Sequence, residues 1–294
     1  MIGAGIAGSA VTPVGTGVSR ARRRIGPNAV LIVGLSLLGL LLLACYGAPL
    51  FTHWSPAQLD QNAILKAPSS RHWFGTDQFG RDIFARTLYA GRVDFLIGIV
   101  LVGVALVVGT LVGMVSAWLG GVTDAIVQRL VDIGFAFPFL VLVISVVGLR
   151  GPGLSSLFIA VSFVAWIFYA RLVRSEVLVL KTSNYMLAAR TSGFSTARVL
   201  VFHLLPNIVN QVLLYATSDF VYAVLLGASV SYLGLGVQPP TPEWGAMVQA
   251  GQNFVATQWW ISFFPGLAIV LMGLAFALIG DSLADKWRSG GGQQ

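Results

Sequence analysis

Apolar windows close to 20 residues long recur along the chain, separated by polar or Gly/Pro-rich breaks. Each is long enough to cross a hydrocarbon core of about 30 Å as a helix. The first runs from Asn28 to Leu50 and closes at Ala48-Pro49. A mixed polar stretch, residues 51–94, carries two His, several Asp and five Lys/Arg. The second window covers Phe95 to Leu119 and contains Gly98, Gly103, Gly109 and Gly113, small residues suited to close helix packing. Gly120-Gly121 leads into a third window, Asp124 to Leu149, with Arg129 and Asp132 in its first turns and Pro138 inside it. Gly151-Pro152-Gly153 precedes the fourth, Leu154 to about Leu172. The fifth, Ile208 to Leu233, is interrupted by Asn210, Gln211 and Asp219. A Pro- and Trp-rich loop, Gly234 to Trp260, leads to the sixth, Ile261 to Gly280.

The pattern predicts an all-α, polytopic membrane protein of six transmembrane helices. Its parts are a flexible tail (1–27), a first span (28–50), an extracytoplasmic or interfacial segment (51–94), a five-helix core (95–281) and a short tail (282–294). Composition agrees: 56% of residues are hydrophobic and 10% are charged, against about 25% charged in a soluble domain. The net charge of +7 raises the question of nucleic acid, but its placement answers it. Arg20, Arg22, Arg23 and Arg24 precede the first span, and Arg171, Arg174, Lys181, Arg190 and Arg198 follow the fourth. With both termini inside, 12 of the 18 Lys/Arg fall on cytoplasmic segments, which is the positive-inside bias. Membrane lipid is therefore the expected surroundings, and nucleic acid is not expected as a partner. Cys45 is alone, so an intramolecular disulfide is excluded. Leu42-Leu43-Ala44-Cys45 has the look of a lipoprotein cleavage box, yet the apolar spans that follow favour an uncleaved helix.

Between the fourth and fifth windows, residues 176–207 are polar and helix-forming. Ser183 or Asn184 can cap a helix, and Gly193 suits a left-handed stop. Ser195 can cap a second helix, which Pro206 ends or kinks. Two readings fit this helix–turn–helix: a knob that seats in a partner's groove, with Ala188 and Ala189 allowing close approach, or an amphipathic interfacial linker.

Ala188-Ala189, Gly193 and Leu205-Pro206 lie at the spacing of the "EAA" coupling loop of bacterial ABC-importer permeases, with Leu187 where that pattern has Glu. Gly75-Thr76-Asp77 through Gly80-Arg81-Asp82 resembles a signature that precedes the second span of dipeptide and oligopeptide permeases. Ser231 through Gly245 and Trp259 through Asp281 resemble later segments of the same group. Together the matches span residues 72–288, and the chain resembles the C-subunit (DppC/OppC-like) family of peptide permeases.

The resemblance implies a type I ABC-importer permease fold in a bacterial plasma (inner) membrane. It implies a second homologous permease (DppB/OppB-like), ATP-binding subunits (DppD/DppF-like) and an extracytoplasmic substrate-binding protein (DppA-like). ATP and Mg would be used by the partner ATPase, with no cofactor on this chain. The cargo would be short peptides, with nickel chelates or haem as alternatives. Asn184, Tyr185, Ala188, Ala189, Arg190, Gly193, Phe194, His203 and Pro206 would meet the ATPase. Asp219, Asn210 and Gln211 are candidates for the substrate pathway; Asp219 could attract a peptide's amino terminus or sit in a solvated vestibule. Asp77, Arg81, Asp82, Glu243 and Trp244 are candidates for contact with the binding protein, although Asp77 and Asp82 more simply cap a turn.

No catalytic or metal constellation is expected. His203 lacks an Asp, Ser or Cys at plausible spacing, and none of Lys66, Lys181 and Lys286 follows a phosphate-binding Gly-rich turn. The rival classes are a stand-alone secondary transporter, which should show inverted repeats, and a membrane enzyme, which should show a nucleophile or metal cluster at membrane depth.

Overall fold

The computed structural model describes residues 27–290. The expectations for the first tail, Arg20 to Arg24 included, lie outside the described residues. Helix α1 (Pro27–Tyr46) passes almost directly into α2 (Ala48–Phe51), filling the first expected span. Irregular chain then leads through a short turn at Gln61–Ala63 to α3 (Ile83–Leu119), a helix of 37 residues.

Helix α3 begins at Ile83 rather than near Phe95, so residues 83–94, the last part of the expected polar segment, are helical. The cause is capping and long-range pairing. The Asp82 carboxylate accepts the Ala85 N–H at 2.7 Å. Arg86 donates to the Pro56 carbonyl at 2.8 Å, and Arg92 donates to the carbonyls of Cys45 and Tyr46 at 2.8 and 2.9 Å. Charges given backbone partners in this way can sit inside a packed helix.

The third expected span is broken. Helices α4 (Gly121–Ala136) and α5 (Phe139–Arg150) meet at 89°. Phe137 is extended, as the residue before a proline prefers, and Pro138 opens α5. The 12 residues of α5 span about 18 Å, too short to cross alone. Helix α6 (Leu154–Lys181) continues well past Leu172. It is followed by α7 (Asn184–Thr191) and α8 (Thr196–Val199).

From α8 the chain widens into a π turn at Leu200–Leu204 and continues as α9 (Leu205–Tyr232). Pro206 therefore does not end the helix. It occupies the first turn of α9, where the wider turn has already released the N–H it lacks. Helix α10 (Trp244–Gly251) lies inside the expected loop after the fifth span, beyond a turn at Pro239–Pro240. Helix α11 (Trp260–Gly290) extends into the stretch expected as a polar tail.

Among the described residues, five helices are long and apolar enough to cross a membrane, and the bent α4/α5 pair makes a sixth if counted as one span. The protein is thus an all-α polytopic membrane protein. Helix α3 packs chiefly along α6, and α11 along α1, α9 and α10. The α3–α6 seam depends on two of the glycines marked in the sequence. A Cβ on Gly109 would collide with Tyr169 and the Trp166 carbonyl, and one on Gly113 with the Ala170 backbone. Helices α7 and α8 lie at one end of the bundle and α10 at the other.

Candidate functional site

At the α7 end, the Ser183 hydroxyl accepts the Met186 N–H at 3.4 Å and starts the helix. Met186 and Ala189, three residues apart, are buried against α6 and the π turn. Asn184, Tyr185, Leu187, Ala188 and Arg190 are thereby left exposed. This corrects the pairing of the two alanines: Ala188 is free to meet a partner, whereas Ala189 serves the protein's own packing. Gly193 reverses the chain with φ of +76°, as its stop role requires. Ser195 then accepts the Arg198 N–H at 3.4 Å and starts α8.

The two short helices are pinned at His203. Its Nδ1 lies 2.7 Å from the Tyr185 hydroxyl, and the Phe194 ring stacks on it with centroids 5.4 Å apart. Phe194, Ala197, Arg198, Val201, Phe202 and His203 line an open groove of about 630 Å³. Val201 and Phe202 stand 50% and 70% exposed there, and Pro206 is exposed just beyond. The loop is also braced on α3. The Lys181 ammonium donates to the carbonyls of Ala117 (3.2 Å) and Trp118 (2.6 Å), and the Arg190 guanidinium sits 5.3 Å from the Trp118 ring centre. Across the same end, Arg174 grips Asp124 through two bonds of 2.8 and 2.7 Å, tying α6 to α4.

The α10 end gathers the other motif. Asp77 accepts the N–H groups of Phe79 (2.9 Å) and Arg81 (3.0 Å) and the Arg81 Nε–H (2.6 Å). Asp82 faces His72 Nδ1 at 2.9 Å. Glu243 caps α10 by accepting the N–H groups of Gly245 and Ala246 at 2.8 and 2.7 Å. Burial pushes the Glu243 carboxyl above its usual range, against the pull of those two donors. Trp244 donates its backbone N–H to Asp94 (3.1 Å) and its indole N–H to the Thr87 carbonyl (2.9 Å). Asp77, Arg81, Asp82, Glu243 and Trp244 are 3, 7, 3, 0 and 0% exposed. Their side chains cannot meet an outside protein while these bonds stand, which corrects their reading as contact residues. They knot residues 52–82, α3 and α10 together, while the neighbouring Trp73 and Phe79 face outward.

Between the two ends, α3, α5, α6 and α9 border a partly open cavity of about 330 Å³. Phe139, Phe168, Tyr215, Ser218, Asp219 and Tyr222 supply its aromatic and polar walls. The Tyr169 hydroxyl donates to Asp219 at 2.9 Å. Of the three pathway candidates only Asp219 reaches this space. Asn210 and Gln211 are exposed nearer the α7 end and do not line it. The tyrosines were not singled out from the sequence, although Tyr215, Asp219 and Tyr222 have the i, i+4, i+7 spacing of one helix face.

A bundle of membrane-crossing helices, a cavity within it and a helix–turn–helix with an exposed face between two spans are the features of a polytopic membrane transport component. The chain belongs to the family of binding-protein-dependent transport system inner membrane components, which matches residues 109–289. It is 38% identical over 263 residues to the dipeptide transport system permease protein DppC of Alkalihalophilus pseudofirmus, covering 90% of this chain and 86% of that one. It is 40% identical over 258 residues to the probable D,D-dipeptide transport system permease protein DdpC of Escherichia coli, covering 88% and 85%. The glutathione transport system permease protein GsiD of Pectobacterium atrosepticum is 36% identical over 264 residues, covering 90% and 88%.

Proposed function

We propose that this chain is one of two paired permeases in an ATP-driven importer of short peptides. In this reading the α7 end faces the cytoplasm with both termini, and the α10 end faces outward. The observation that carries it is the α7–α8 knob: its outer face is free, while Met186, Ala189, Lys181 and Arg190 root it in α6 and α3. A short helix held this way can pass a displacement to the spans by rigid contact.

An ATPase subunit docks on Asn184, Tyr185, Ala188, Arg190, Phe194 and the Phe202–His203 groove. ATP and Mg are bound and used by that subunit, and this chain performs no catalysis and holds no cofactor. A substrate-binding protein delivers cargo at the α10 end, meeting outward residues such as Trp73 and Phe79 rather than the buried knot. The second permease and lipid cover the exposed apolar stripe of Val122, Ile126, Leu130 and Ile133 on α4. The peptide cargo is supported by the names of the three relatives given above, described as dipeptide, D,D-dipeptide and glutathione permeases.

Affinity purification of the tagged chain in mild detergent tests the assembly. Recovery of one homologous permease with ATP-binding subunits is expected. Recovery of the chain alone, in a preparation that preserves a known ABC complex, would demote the knob to an interfacial linker.

A further inference from the structure

The cavity between α3, α5, α6 and α9 contains one carboxylate and, among the described residues, no Lys, Arg or His in its lining. We propose that Asp219, flanked by Tyr215 and Tyr222, is a subsite for a primary ammonium carried on an apolar body. The inference rests on the import reading above and adds what the chain selects from the cargo.

Three observations carry it. First, Asp219 lies midway along α9, where an ionisable group is costly unless it faces a partner or a pathway. It faces the cavity. Second, its partner is a neutral donor rather than a cation. The Tyr169 hydroxyl at 2.9 Å binds one oxygen and fixes the carboxylate's direction without neutralising it. The ring of Tyr169 is itself held edge-on by Tyr215, with centroids 5.0 Å apart. Third, the surrounding wall is aromatic: Phe139, Phe168, Tyr215 and Tyr222. Aromatic faces attract cations and tolerate apolar side chains, but offer little to an anion. The space of about 330 Å³ is at the small end for a ligand pocket, enough for the amino end of a short peptide. The acidic end is left to walls that this chain does not supply.

The test uses the assembled importer with its binding protein in proteoliposomes, loaded to saturation with each peptide separately. Three peptides separate the sources of the ammonium: Ala-Phe, N-acetyl-Ala-Phe and N-acetyl-Ala-Lys. Asp219→Asn should lower Ala-Phe uptake roughly tenfold or more and leave slow N-acetyl-Ala-Phe uptake unchanged, with Asp219→Glu restoring part of the loss. A parallel fall for N-acetyl-Ala-Lys means that the cavity reads any primary ammonium; no fall means that it reads the main-chain amine. Tyr222→Leu alters an exposed ring. It should give the same order of peptides with a smaller drop, and serves if Asp219→Asn does not assemble. Equal Ala-Phe uptake by wild type and Asp219→Asn overturns the subsite. Equal losses for all three peptides, unrelieved by Glu, overturn it too and leave Asp219 as Tyr169's structural acceptor. A wild-type importer that moves none of the peptides removes the peptide reading, and the subsite with it.

Discussion

At the α7 end, Asn184, Tyr185, Ala188 and Arg190 project from a short helix held by Met186 and Ala189. At the α10 end, Asp77, Arg81, Asp82, Glu243 and Trp244 turn inward and bond to backbone groups and to one another. Both sets are conspicuous in the sequence, yet one is a surface and the other a clasp. The α7 end has few buried contacts and a left-handed turn, which suits a part that moves with a partner. The α10 end buries charge in a network of paired side chains and backbone donors, which suits a part that holds its shape. Residues that stand out in a sequence therefore have two distinct reasons for doing so, and burial separates them.

The largest expected effect lies in the clasp. Asp77→Ala removes an acceptor for three donors and leaves Arg81, 7% exposed, without its counter-charge. Breaking one side of a buried pair costs about 3–5 kcal/mol, so the protein should accumulate poorly and unfold at markedly lower temperature in detergent. A melting curve superimposable on wild type would show that the two ends do not differ in this way.

Much of the architecture was readable because a hydrocarbon core demands about 20 apolar residues in a row. Where the reading failed, a distant partner had changed the meaning of a local charge. Arg86, Arg92 and Asp94 read as part of a break before the second span, but each finds a distant partner among Pro56, Cys45, Tyr46 and Trp244, and α3 runs through. Pro138 was visible as a break, though not as an 89° bend. Helix α10 was hidden in a Pro-rich loop because its cap, Glu243, read as a surface charge. Inside residues 176–207, the caps at Ser183 and Ser195 and the turn at Gly193 are local chemistry and were legible. Which of Ala188 and Ala189 faces outward depends on where α6 lies, and that is not local. The same limit left Asp219 visible as a costly charge but concealed its link to Tyr169, on another helix.

Gly193→Val probes the surface end with a smaller cost. No atom outside the immediate chain lies within 4 Å of a Cβ at Gly193, so the penalty is conformational alone. Holding a non-Gly residue left-handed costs about 1–2 kcal/mol. The variant should therefore insert and melt nearly as wild type but recover much less ATPase subunit on purification. Gly193→Asn, which tolerates positive φ better, should keep most of the binding. If the Val variant binds the ATPase normally, docking does not depend on the shape of the turn.

The finest expected effect is at Tyr185, whose hydroxyl reaches His203 at 2.7 Å while the ring stands 54% exposed. A single neutral hydrogen bond contributes about 0.5–1.5 kcal/mol, less where water competes at an exposed site. Tyr185→Phe should leave the melting temperature of the isolated chain unmoved and weaken ATPase-subunit affinity only a few-fold. The cycle Tyr185→Phe, His203→Ala and the double variant then isolates the pair. If the bond's role is to hold α7 against the Phe194–His203 stack, the double variant should lose little more affinity than His203→Ala alone. Fully additive losses would mean that the Tyr185 hydroxyl acts through its own contact with the ATPase and that its bond to His203 does not brace the knob.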